Sequence, residues 1–325
     1  MAHTLKRFIP LVILVGFFVA FGWYLVVNLD DFRILLDLNP VFVALAAVGH
    51  LGVVALNGVF TRRILLAFGK DVSYQDSFFV SLISSIGNFF LPMQSGAGVR
   101  AVYLKRKYQL AYNDFLSIFA GTYAINFFLS SALGIMSLFF LRHQTGPGQL
   151  LVIGAAFAAI LAGSTFVAIT PISGALLRYV LRLIPSKKLS LTGERVQEGW
   201  ELIVADRRLV AELIVITATS MLLSVGLFIV ELRSVGLETG VWSVLFYASI
   251  GSIVLILNIT PASLGIREAV LVFSAAALGL TVPQILSVAL IDRGVKFTVL
   301  AVSWLVLHTQ AKFSFKTYTG IQNQS

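Results

Sequence analysis

The stretch Asn88–Leu104, NFFLPMQSGAGVRAVYL, lies among apolar segments yet carries a proline, two glycines, a glutamine and an arginine. A second stretch, Asn258–Leu271, NITPASLGIREAVL, repeats its order of Asn, Pro, Gly, a branched apolar residue, Arg and a closing Leu. Aligned on the arginines, Gly98-Val99-Arg100 matches Gly265-Ile266-Arg267, 167 positions further on. Upstream, Asn88 and Pro92 match Asn258 and Pro261, with spacings that differ by one or two residues. Proline removes a backbone donor and glycine lets the chain turn, so each stretch reads as a helix broken and restarted.

The surroundings of these stretches define the class. The chain has 325 residues, 58% hydrophobic and only 12% charged, where a soluble domain carries about 25% charge. Apolar runs of about 20 residues, the length that crosses about 30 Å of hydrocarbon, recur along it. This is the pattern of an all-α polytopic membrane protein. With no cysteine, disulfide, zinc-thiolate and thiol chemistry are excluded. The net charge of +9 does not indicate nucleic acid, because the basic residues collect in loops on one side of the drawn spans.

Six full spans are expected at about 8–28, 41–60, 115–141, 150–171, 210–231 and 284–308, with two broken regions at about 77–104 and 242–281. The first run follows Lys6 and Arg7; Ala20-Phe21-Gly22 weakly resembles a cleavage site, but the run continues to Val27 and reads as an anchor helix. If 77–104 enters and leaves on the cytoplasmic face and 242–281 on the outer face, three of the 24 Lys/Arg are external (Arg33, Arg142, Arg233), three lie deep (Arg267, Arg293, Lys296), and the other 18 are cytoplasmic. That places both termini in the cytoplasm and gives eight hydrophobic segments: six spans and two broken or re-entrant hairpins in an inverted repeat. Eight simple spans remain the alternative. Residues 1–171 and 209–325 are then the two halves. The connector 172–208 holds amphipathic segments, with Val196, Trp200 and Ile203 at helical spacing. Trp23, Tyr24 and Trp242 fall near span ends as interfacial residues.

Inverted repeats with discontinuous helices form midplane substrate sites in many transporters. A half-helix that starts inside the membrane presents N–H groups and partial positive charge. Arg100 and Arg267 come at that point, an arrangement that becomes favourable when an anion sits there. Asn88, Asn258, Gln94, Ser95, Thr260 and Ser263 offer neutral hydrogen bonds to the same space. The bland reading of each arginine is snorkelling or internal pairing; Glu268 stands beside Arg267, although adjacent helix residues point in different directions.

The last span contains IDRGVKF, in which Asp292 and Lys296, four apart, can pair while Arg293 points elsewhere. Glu268 and Asp292 read as the only deep acids and are the candidates for carrying a coupling proton or ion. His3, His50, His143 and His308 show no metal-ligand spacing, and no nucleophile–base grouping or phosphate loop is visible. Neither a metal nor a cofactor is expected, and the chain is not expected to be an enzyme. Asn57 and Asn126 read more readily as interhelical hydrogen bonds than as substrate contacts.

At NFFLPMQSGAGVRAVYLKRK, NITPASLGIREAVL and the charged last helix with Arg293, the chain resembles the flippase-like family, also called the lysylphosphatidylglycerol synthase transmembrane-domain family. The resemblance covers nearly the whole chain. It implies a multi-pass protein of the cell inner membrane, linked to moving lipids between leaflets, and it points to Pro92, Arg100, Pro261, Gly265, Arg267, Glu268 and Arg293. Some members carry a soluble aminoacyl-transfer domain; none is expected here, so synthesis is not implied. The family often places an acid before the first arginine, where this chain has Ala97 and Gly98. Arg100 thus lacks a local counter-charge.

The leading expectation is a flippase for an anionic phospholipid or a polyprenyl-phosphate-linked lipid, with Arg100 and Arg267 on the phosphate. The alternatives are a scaffold that partners a lipid-modifying enzyme, and an intramembrane lipid transferase.

Overall fold

The computed structural model describes residues 29–91, 94–143, 147–169, 187–254, 263 and 265–309; the expected first span at 8–28 lies outside them. After a short 3-10 helix, Leu29–Leu36, the described residues form ten α-helices: α1 Pro40–Leu66, α2 Tyr74–Phe90, α3 Ser95–Tyr108, α4 Tyr112–Leu141, α5 Pro147–Ile169, α6 Lys187–Ala205, α7 Arg207–Ser234, α8 Val241–Val254, α9 Ile266–Leu278 and α10 Val282–Thr309. The other five expected spans overlap α1, α4, α5, α7 and α10, and the two expected broken regions contain α2 with α3 and α8 with α9.

Local sequence sets the boundaries. Asn39 caps α1, its Oδ1 accepting from Val41 N at 3.0 Å with Pro40 in the first turn. Ser73 caps α2. Asp206 separates α6 from α7, its Oδ1 accepting from both Arg208 N and Leu209 N. Among the described residues, α1, α4 and α7 are long and apolar enough to cross a membrane. α10 matches them in length, but Asp292, Arg293 and Lys296 interrupt its apolar run.

Helix pairs approach through small residues, as expected where lipid gives no hydrophobic drive between helices. α1 and α7 form the most extensive pair, with Gly49 and Gly52 against Leu227 and Leu223. A Cβ on Gly58 would lie 3.1 Å from the Phe78 backbone, so α1 and α2 are nearly in main-chain contact. Two apolar cores result. One gathers the Pro40 half of α1 with α7, α8, α9 and α10 around Leu271, Ile285 and Val288. The other gathers the Leu66 half of α1 with α2, α3, α4, α6 and the start of α7 around Ile64, Leu104 and Leu213.

The first broken region is an antiparallel hairpin. Asn88 Oδ1 accepts from Gly96 N at 2.9 Å near the turn, and Ser84 Oγ donates to Gly96 O at 3.0 Å. At the open end Asp76 accepts from Lys107 Nζ at 2.6 Å, Tyr103 OH and Tyr108 OH. Burial pushes the Asp76 carboxyl up, but the Lys107 and Tyr108 hydrogen bonds outweigh it and hold the group below the usual carboxylate range. The ends of the second region also meet, where Thr239 Oγ1 donates to Leu278 O at 2.6 Å. The open ends lie at opposite ends of α1. Arg62 Nε donates to Val72 O, just before α2, at 2.7 Å. Asn39 N donates to Ser234 O, five residues before Thr239, at 2.9 Å.

The described part of the connector is the helix α6. α6 lays Ile203, fully buried, and Trp200 against α4, and Ser117 Oγ donates to Val196 O at 2.8 Å. Trp242, expected at an interface, stacks face-on against Phe140 with ring centroids 3.9 Å apart.

Candidate functional site

The two arginine motifs serve different backbone roles. In the first, the left-handed turn falls on Gln94, at φ 51°, and the close approach on Gly96. A Cβ there would lie 1.9 Å from Ser84 O. Gly98 is inside α3 with open space around it. In the second, Gly265 itself holds φ 83°, immediately before α9. Alignment on arginine therefore matches a turn glycine with a helical one. Arg267 lies in the first turn of α9, whereas Arg100 lies in the second turn of α3.

Part of each helix start is engaged by its own motif. Gly96 N is taken by Asn88 Oδ1, Ala97 N by Gln94 O, and Gly265 N by Glu268 Oε2 at 2.7 Å. Several of the donors expected at these starts are therefore already paired, and side chains supply further ones.

Those side chains meet in a cavity of about 500 Å³ between the two apolar cores. Arg100, Arg267, Asp292, Lys296, His50 and Glu231 all line it, from α3, α9, α10, α1 and α7. Asn88 and Ser263 line it as well. Gln94 caps α3 and its Oε1 accepts from Tyr123 OH at 2.6 Å. Gln94, Ser95, Gly265, Glu268 and Arg293 are not in the cavity wall. Pro92, Asn258, Thr260 and Pro261 lie outside the described residues.

The pairing in α9 and α10 differs from the one expected along each helix. Arg267 Nη1 pairs with Asp292 Oδ2, and Arg267 Nε donates to Tyr247 OH at 3.3 Å. Glu268 takes Arg293, whose Nε donates to Glu268 Oε1 at 2.8 Å. The expected Asp292–Lys296 pair does not form, since α9 delivers a guanidinium to Asp292 from across the helix interface. Arg100 donates through Nε to Ser84 Oγ at 3.1 Å. Among the described residues neither Arg100 nor Lys296 has a carboxylate within salt-bridge distance.

Three cationic side chains thus face one cavity, and only one of them is neutralised by an ion pair. Hydroxyls and amides share the wall: Ser84, Ser220, Ser224, Thr217, Asn57 and Asn126. Asn57 and Asn126, read from sequence as interhelical contacts, therefore have access to whatever occupies it. His50 and Glu231 were missed. Glu231 falls at the end of an expected span and His50 lacks ligand spacing, yet both are ionisable residues inside apolar helices, which is itself a functional signal.

A bundle of apolar helices around a cavity that three cationic side chains line is the architecture of a membrane protein. Residues 8–303 match the family described as the lysylphosphatidylglycerol synthase TM region, and the chain belongs to this family. Family and apolar helices together make it a membrane protein related to lipid modification or transport. No curated protein and no solved structure matches the chain.

Proposed function

We propose that this chain is a flippase that carries an anionic lipid or lipid-linked headgroup between leaflets, holding its phosphate in the cavity against Arg100, Arg267 and Lys296. The observation that carries this reading is that Arg100 and Lys296 line the cavity with no carboxylate partner among the described residues. An unpaired cation in low dielectric is costly, and an anion relieves that cost. Arg100 offers the planar donor fork that suits phosphate. Arg267, already held by Asp292 and Tyr247, is positioned to add a further donor.

In this reading the hairpins α2–α3 and α8–α9 are re-entrant from opposite faces and belong to inverted halves, 1–171 and 209–325, joined by the connector 172–208. The opposed open ends along α1 support that arrangement. The positive-inside pattern supports an inner-membrane protein with cytoplasmic termini. Binding and reorientation need no covalent step, so the chain acts as a transporter and not as an enzyme.

The test is lipid scrambling in proteoliposomes with labelled anionic and zwitterionic lipids, wild type beside Arg100→Gln/Lys296→Gln. Headgroup-selective flux that the variant loses is the expected result. Absence of flux with every lipid, from folded protein, overturns it in favour of a scaffold for a lipid-modifying enzyme.

A further inference from the structure

Three residues distant in sequence converge on one wall of the cavity. His50 of α1, Glu231 of α7 and Asp292 of α10 are all buried, and a nitrogen or oxygen from each lies within 4.8 Å of the others. His50 Nε2 is 3.4 Å from Glu231 Oε1 and 3.7 Å from Asp292 Oδ1. Glu231 is only 1% exposed, yet among the described residues its Oε1 has no hydrogen-bond partner, and neither does His50 Nε2. Buried polar atoms are nearly always satisfied, and one that is not marks an unplaced ligand or a functional group.

The ligand must suit the neighbours. The titratable groups that face Glu231 are His50 on α1, Tyr247 on α8, Arg267 on α9, and Asp292 and Lys296 on α10. Arg267 and Lys296 balance Asp292 and Glu231 when both acids are ionised and the histidine is neutral. A divalent metal would add two positive charges beside two existing cations, and Asp292 is already committed to Arg267. A single proton adds one. Placed on Glu231 beside a histidine whose hydrogen is on Nδ1, it supplies an O–H toward His50 Nε2, 3.4 Å away, and gives both orphan atoms a partner.

We propose that the Glu231–His50 pair is a proton-binding site that loads together with the anionic guest and couples its movement to a proton gradient. This rests on the transport reading above. The pair shares the cavity wall with Arg100 and Lys296, so negative charge arriving there favours the proton. By linkage, the proton favours the anion to the same degree. The step is a proton association: a proton from water bonds to a Glu231 carboxylate oxygen, and no other bond breaks. Asp292, assigned from sequence as a proton carrier, keeps its charge for Arg267.

Two readouts separate this proposal from the one it rests on. In infrared difference spectra of the purified protein in a maltoside detergent, sn-glycerol 3-phosphate is the probe, since neither additive has a carbonyl. The carbonyl stretch of a protonated carboxyl is expected to rise in wild type and in Glu268→Gln, and not in Glu231→Gln. In proteoliposomes, a gradient of one pH unit drives about a tenfold accumulation of labelled anionic lipid if one proton moves with each, and the ratio of flux with and without the gradient falls to one in Glu231→Gln. His50→Gln, compared by thermal melt and infrared band, guards against misfolding of the Glu231 variant. A carboxyl band that ignores the probe, or that persists in Glu231→Gln, overturns the site; so does lipid flux with no response to the gradient. A probe-induced band dependent on Glu231, from protein that moves no lipid, upholds the site and overturns transport.

Discussion

Arg267 is paired with Asp292 across the α9–α10 interface, while its own sequence neighbour Glu268 turns away to Arg293 and Gly265. Two ion pairs therefore link the helix that follows the second motif to the last helix. The arginine at the second motif is a structural member of the bundle as well as a member of the cavity wall, which distinguishes it from Arg100.

Removing one partner of a buried pair strands the other charge. Asp292→Asn is expected to destabilise the protein by about 3 kcal/mol, the low end of the range for buried pairs, because the Arg267 side chain keeps 29% of its surface exposed. Arg267→Met/Asp292→Leu should recover much of that loss. Thermal melts of the three proteins in one detergent decide it, and a single variant as stable as wild type would show that the pair does not hold α9 to α10.

The two aligned glycines should respond oppositely to alanine. Gly265 holds φ 83°, where a Cβ costs about 1–2 kcal/mol. Gly98 sits inside α3 with nothing within 4 Å of an added Cβ, so alanine there should stabilise the helix by about 0.5–1 kcal/mol. Melting temperatures of Gly265→Ala and Gly98→Ala that move in the same direction would contradict the assignment of a left-handed turn to Gly265 and of a helical position to Gly98.

Much of this was legible because it rests on local chemistry. Proline, glycine and arginine inside apolar runs announced both interruptions, and the absence of an acid before Arg100 announced its lack of a carboxylate partner. Partner choice was not legible. Asp292 and Lys296 are spaced to pair on one helix, and Glu268 adjoins Arg267, but the tertiary crossing of α9 and α10 overrides both local options. Likewise 180 residues separate His50 from Glu231, and only the antiparallel packing of α1 on α7 brings them together.

The α2–α3 hairpin should loosen in acid. Asp76 has a folded pKa below its unfolded value of about 3.9, so its stabilisation is present above that value and is lost as pH falls through the folded one. Asp76→Asn removes this dependence. The difference in melting temperature between wild type and Asp76→Asn should therefore narrow as pH drops from 5 toward 3, and a constant difference would rule out Asp76 as the acid-sensitive clasp.

Arg100 should behave unlike any partner in the ion pairs. Among the described residues it has no carboxylate to strand, so Arg100→Gln should leave the melting temperature unchanged or raise it. What it should lose is the guest: a hydrogen bond to a charged group contributes about 1.5–3 kcal/mol, so affinity for short-chain phosphatidic acid should fall about 10- to 100-fold. Arg267→Gln cannot give so clean a result, because it leaves Asp292 buried without its partner and lowers stability at the same time. Binding titrations beside melts on Arg100→Gln therefore separate the two roles: lost affinity at full stability marks an anion ligand, and lost stability at full affinity marks a cation that only braces the α2–α3 hairpin through Ser84.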